Sequence, residues 1–202
     1  MSKKRIDFSA INPKAKAQLE AFAAARIEIA KEDIRHKGVM KHLNSKLEAI
    51  KENRDLNLNH GMELEDVLRQ FPTIEVEKAI NKENILHKEI MKPLNEELTS
   101  TYAFVPKNLY CGYKLKIESG KRGEFLLAVK TFLVNIGVKD EDISQSALCK
   151  LSERISDWLG VTVSKGKVLL EHGNFSSVVG DKQFYRLFMS VFCDMLAMET
   201  SK

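Results

Sequence analysis

From Asn12 onward the hydrophobic positions keep a helical rhythm. Leu19, Ala23, Ile27, Ala30 and Ile34 recur at spacings of 4, 4, 3 and 4, and Met40, Leu43, Leu47 and Ile50 at 3, 4 and 3. Each set makes one stripe of an amphipathic helix. The stripes are out of phase, because seven residues beyond Ile34 is Lys41 rather than Met40, and Gly38 sits at the slip. The pattern predicts one long helix that bends at Gly38 or two helices that meet there. Asn12-Pro13 is a strong start signal: Asn caps free backbone N–H groups, and Pro at the first helical position has no N–H to lose. The first helical stretch is expected over about 13–53.

The polar run Leu-Asn-Leu-Asn-His-Gly ending at Gly61 predicts a turn. Met62 to Phe71 reads as a short helix that Pro72 ends. A further helix is expected over 73–98, with Glu75 and Glu77 suited to the positive end of its dipole. Val76, Ile80, His87 and Met91 share its face, and Pro93 is expected to bend or restart it.

The rhythm changes after Thr99. Leu109, Cys111, Tyr113, Leu115 and Ile117 alternate at period two, which predicts a strand over 109–117. Gly120 to Gly123 is a basic turn, and Glu124 to Ile136 is helical with Gly137 as its stop. Asp140 or Asp142 opens a helix that turns Ala147, Leu151, Ile155 and Trp158 inward and stops at Gly160. Val161 to Val163 and Val168 to Leu170 flank Ser-Lys-Gly-Lys, which predicts a hairpin. A last helix runs from Asp181 to about Met198. It is apolar all round, as suits either the centre of a domain or an interface. The fold expected is mainly α: a helical arm over 1–99, then a small α+β domain over 100–202 with one short strand, a hairpin and an apolar C-terminal helix.

Composition supports this picture. Among 202 residues there are only 10 Gly and 4 Pro, so breakers are few, and 44% hydrophobic with 30% charged residues allows both a core and a solvated surface. No apolar run is long enough to span a bilayer. No hydrophobic segment of a secretory signal follows the basic N-terminus. Cys111, Cys149 and Cys193 are odd in number and far apart, which favours reduced thiols in a cytoplasmic protein. Net charge is only +4 but unevenly spread. Residues 1–55 carry 13 Lys/Arg against 8 Asp/Glu, and residues 56–100 carry 5 against 9. A basic stretch followed by an acidic one can attract a partner or pair with itself.

Candidate chemistry is sparse. His36 and His42 are six apart and do not share a face as an HExxH pair would. His87 lies on an apolar stripe and reads as a core histidine. The cysteines read as core residues, and the paired carboxylates sit at helix ends or on exposed faces. Gly120-Lys121-Arg122-Gly123 lacks the full phosphate-loop pattern. No catalytic, cofactor or metal site is predicted.

The C-terminal order of strand, helix, helix and hairpin resembles a winged helix-turn-helix over roughly 60 residues, on topology alone. The resemblance implies nucleic-acid contact through a recognition helix and a wing. The helix in that position carries Asp140, Glu141, Asp142, Glu153 and Asp157 against Lys150 and Arg154, a poor match to phosphates. The candidate contacts are therefore Lys165 and Lys167 on the wing, Lys121 and Arg122 in the basic turn, and Arg35, Lys37 and Lys41 on the arm.

Two function classes follow. The first is a non-catalytic protein-binding protein that docks or self-associates through coiled-coil-like N-terminal helices. Its size and mixed charge suit a subunit or inhibitor of a larger intracellular assembly, such as phages and mobile elements encode, although no residue carries that last point. The second is a nucleic-acid-binding regulator. Neither requires a membrane or a cofactor.

Overall fold

The computed structural model describes residues 6–165 and 181–200. Seven α-helices lie among them: α1 (Pro13–Asn59), α2 (Leu64–Gln70), α3 (Ile74–Ser100), α4 (Leu109–Ser119), α5 (Gly123–Asn135), α6 (Gln145–Lys165) and α7 (Asp181–Thr200). Short 3-10 turns precede α1, α4 and α6, and the described residues contain no strand. No helix among them is long and apolar enough to cross a membrane.

The expected α+β domain is thus corrected to an all-helical one. The segment 109–117 alternates at period two, yet Leu109 and Tyr113 are also four apart, and they are the side chains that α4 buries completely. The third buried position is Gly112, which alternation assigns to the polar set. A Cβ there would lie 2.9 Å from the Glu124 carbonyl carbon and the Phe125 nitrogen, so glycine lets α4 meet the start of α5 backbone to backbone. Cys111, Leu115 and Ile117, the rest of the supposed strand face, are exposed. Gly160 does not stop α6, because a glycine inside a helix weakens it by only about 1 kcal/mol and does not break it. Val161 to Val163 continue that helix and form no hairpin limb. Val168 to Leu170 and His172 lie outside the described residues. With the strand and the first hairpin limb gone, the topology is no longer that of a winged helix-turn-helix.

Several turns follow the local chemistry. The Asn12 side chain accepts the Lys14 N–H at 2.9 Å and its carbonyl accepts the Lys16 N–H at 2.9 Å, which caps α1. Gly120 and Gly137 adopt positive φ after α4 and α5. At Gly137 a Cβ would meet the Asn12 backbone nitrogen at 2.7 Å, and Asn12 N–H donates to the Ile136 carbonyl at 2.9 Å. The start of α1 is thereby tied to the end of α5. Gly38 causes no break: α1 runs through it unbroken, and α3 runs likewise through Pro93.

The chain divides into two compact units, Met1–Ala24 with Glu97–Lys202, and Ala25–Glu96. The first unit has a dry aromatic core. Phe184, Phe188 and Phe192 of α7 are fully buried, with Tyr113, Phe125 and Phe132 around them. Phe132 meets Phe188 and Phe192 edge-to-face at 5.0 and 4.9 Å, and Phe8 meets Phe192 at 5.9 Å. Burial of each such side chain contributes roughly 1.5–3 kcal/mol. The apolar final helix is therefore the centre of this core. Cys193 is buried and Cys149 half-buried, while Cys111 is exposed, contrary to the expectation that all three are core.

The second unit is a helical hairpin: residues 25–59 of α1, then α2, then α3 to Glu96. Its partners pair antiparallel, with Arg35 on Glu83 and Glu32 on His87. Near the turn, Arg54 Nε donates to the Phe71 carbonyl at 2.7 Å. Gly61, at φ 87°, makes the turn after α1.

The two glycines of contrasting surroundings give opposite expectations. Gly112→Ala forces a Cβ into the α5 backbone and costs about 1–3 kcal/mol. Gly38→Ala meets nothing within 4 Å and gains up to about 1 kcal/mol. Urea denaturation of both variants, followed by circular dichroism, checks the two signs; equal effects would contradict this packing.

Candidate functional site

The hairpin unit carries the most distinctive side-chain constellation. Glu32 and His36 are one turn apart on α1, and Glu83 and His87 are one turn apart on α3. Because the helices are antiparallel, each glutamate meets the histidine of the other helix. His36 Nδ1 is 3.0 Å from Glu83 Oε1, and His87 Nδ1 is 3.0 Å from Glu32 Oε1. The two imidazoles stack with centroids 4.0 Å apart and planes 13° from parallel. The cluster thus has an approximate local two-fold character.

Arg35 ties the pairs together. Its Nε donates to Glu32 Oε2 at 2.7 Å and its Nη2 to Glu32 Oε1 at 2.8 Å and Glu83 Oε1 at 2.7 Å. Its Nη1 donates to Glu83 Oε2 at 3.2 Å. Both carboxylates are buried, while the guanidinium stays partly in water. Hydrogen bonds from Arg35, then from His87, hold the Glu32 carboxyl down at about 2, well below its ordinary 4.5. Hydrogen bonds from Arg35, then from His36, lower Glu83 as well. Glu32 and then Glu83 in turn push the Arg35 guanidinium further up. An ionised carboxylate only accepts, so the Nδ1 atoms of both histidines carry hydrogen. Asp33 Oδ1 lies 3.9 Å from His87 Nε2.

This arrangement is a latch between two helices. No group of three or more His, Cys, Asp or Glu among the described residues is arranged to hold a metal ion. An open groove of about 480 Å³ beside the latch is lined by Glu28, Lys31, Glu32, Arg35, Ile90, Pro93 and Leu94, with neither histidine in its wall.

The latch also resolves the phase slip read at Gly38. The inward line of α1 runs Phe22, Ile29, Glu32, His36, Met40, Leu43, Leu47 and Ile50, continuous through the polar residues. The stripe of Ile27, Ala30 and Ile34 lies on the far side of α1 and is exposed, Ile27 by 54% and Ile34 by 73%. Sequence reasoning missed the latch because it sought inward positions among aliphatic residues. The repeated Glu-x-x-x-His spacing on both helices was the available signal.

The apolar surface of this unit is the second feature. Ala25, Ile29, Val67 and Val76 are its buried apolar residues among those described, whereas Leu56, Leu58, Leu64 and Leu68 are exposed around the hairpin tip and Ile74 at the start of α3. Ile85 and Leu86 of α3 are exposed too.

The candidate nucleic-acid contacts are scattered. Arg35 is committed to the latch. Lys37 and Lys41 are exposed one turn apart on α1, in the hairpin unit. Lys121 and Arg122 are exposed in the turn between α4 and α5, where Arg122 Nη1 is 3.4 Å from Glu153. Lys165 is the last residue of α6, and Lys167 lies outside the described residues. Among the described candidates, Lys37 and Lys41 lie together on α1, and Lys121 and Arg122 lie together in the turn between α4 and α5.

No protein-family model, curated protein or solved structure matches this chain.

The latch sets a pH dependence. Glu32 and Glu83 have folded-state values below their unfolded ones, so their contribution is present above about 4.5 and is lost as pH falls below it, for Glu32 toward about 2. Amide exchange in residues 25–96 is expected to rise through that window. In Arg35→Gln the loss of protection should begin at higher pH, because each carboxylate loses its main partner. An unchanged acid profile in Arg35→Gln would show that the latch does not hold the hairpin.

Proposed function

We propose that this chain is a non-catalytic interaction protein, a subunit or inhibitor of a larger intracellular assembly, that docks on another protein through its helical hairpin. The observation that carries this reading is the surface of residues 25–96, where large aliphatic side chains are more often exposed than buried. Single exposed aliphatic residues are ordinary on any protein. Five of them within residues 56–74, on a unit with so small a dry core of its own, are the kind of surface that a partner covers. The first unit keeps a closed aromatic core of its own.

The rival reading, a nucleic-acid-binding regulator, is weaker on charge. Its arm candidate Arg35 is spent on two carboxylates, which leaves Lys37 and Lys41 of the arm contacts expected from the sequence. The same experiment decides between the two. The tagged full chain is recovered from its native host with and without nuclease, beside Leu64→Asp/Leu68→Asp, which changes two exposed residues of α2. Wild type is expected to retain nuclease-resistant protein partners that the double variant loses by at least about tenfold, equivalent to 1.4 kcal/mol. Identical protein recovery by both chains would sink the docking surface. Recovery that depends wholly on nucleic acid would instead favour the regulator.

A further inference from the structure

Resting on that reading, we infer that the occupant of the hairpin's apolar surface is a second copy of this chain, laid antiparallel so that the two hairpin tips overlap. The first ground is charge. On α1, Lys37, Lys41, Lys46 and Lys51 are exposed, with Glu48 the one acidic residue between them. Lys37, Lys41 and Lys51 fall within an arc of roughly 80° at 100° per residue. Toward the tip the balance reverses: Glu52, Asp55, Glu63, Glu65 and Asp66 are exposed against Arg69, while Glu75 and Glu77 lie level with the lysines of α1 by the Arg35–Glu83 register and stand beside Lys78. One unit therefore carries a basic patch and an acidic patch at different heights along the same helix pair.

Such a surface complements itself in one orientation. The basic stretch is centred near Asn44 and α1 ends at Asn59, a separation of roughly 22 Å at 1.5 Å per residue. Parallel copies would set base against base and acid against acid. Antiparallel copies, displaced by that distance, set each acidic tip beside the other's lysines. The contact is two-fold and closes on itself, so it makes a dimer and no filament.

The second ground is apolar. The same overlap covers the stretch where aliphatic residues are left open: Leu56, Leu58, Leu64 and Leu68 at the tip and Ile74 at the start of α3. It also covers Met40, Leu43, Leu47 and Ile50, which the hairpin leaves only half-buried. Two hairpins together supply the four helices that close such a core.

The test uses purified full chain and no other protein. Sedimentation equilibrium at low salt is expected to give twice the 23.0 kDa chain mass, with the dimer weakened at high salt. Leu64→Asp/Leu68→Asp should raise the dimer dissociation constant at least tenfold while its circular dichroism stays unchanged. A tip variant, Glu63→Lys/Glu65→Lys/Asp66→Lys, and a stem variant, Lys37→Glu/Lys41→Glu/Lys51→Glu, should each be impaired alone. Mixed, they should recover a heterodimer, because each tip then faces a stem of opposite sign. A single-chain mass at every concentration overturns the inference, and so does a dimer that neither the leucine nor the charge variants weaken. Variants that dimerise poorly and fail to recover on mixing overturn the antiparallel arrangement. A monomeric chain whose native partners are still lost with Leu64→Asp/Leu68→Asp overturns the second copy while leaving the docking reading intact.

Discussion

Two helices lying side by side share one stripe and have no third layer to cover it. That constraint governs the part of residues 25–96 where α1 pairs with α3. A seam open to water on both flanks gains less from aliphatic packing than a closed core does, and it tolerates charge better. Ions moved into a dry interior lose several kcal/mol of hydration that pairing does not always return. Here Arg35 keeps part of its guanidinium in solvent while gripping two buried carboxylates. The penalty is reduced, and the geometry is strict. Slipping one helix by a turn would move Arg35 by 5.4 Å relative to Glu83 and part both histidines from their glutamates. Aliphatic side chains would accommodate such a slip far more readily, so the latch specifies the register as well as joining the helices.

The first unit solves the opposite problem. It has enough helices to surround α7, so a helix that is apolar on nearly every side finds neighbours in every direction. Its precision comes from close backbone approaches at Gly112 and Gly137 and from edge-to-face rings. One chain thus uses two kinds of glue, dry and aromatic where a core can close, ionic where it cannot.

This difference explains which parts were legible in the sequence. Helix starts at Asn12-Pro13 and the stop at Gly137 were readable, because capping chemistry is local. The buried α7 was readable from its apolar circumference. The segment 109–117 was not, since leucine and tyrosine four apart satisfy both periods, and the deciding residue was a glycine that hydropathy counts as neutral. The inward face of α1 was misassigned because glutamate, arginine and histidine occupy it. A pattern search that equates inward with aliphatic places the seam on the wrong side whenever the seam is ionic. Burial of the latch depends on residues some fifty positions apart, which no local rule brings together.

That misassignment bears on the functional reading. Ile27 and Ile34 lie about 160° around the helix from Ile29 and His36, so α1 presents an apolar face and a mixed face on opposite sides. Burying the aliphatic face against α3 would gain roughly 1.5–3 kcal/mol per isoleucine, yet the chain leaves it exposed and turns the mixed face inward. The latch holds the helices in this orientation against that preference. An exposed face kept outward by specific polar contacts differs from a stray surface residue, because rotating it inward would break the contacts that define the unit. The stabilisation withheld from the isolated hairpin remains available when another surface covers it. The seam itself is therefore the physical ground of the proposed association, because its ionic specificity leaves the aliphatic faces free.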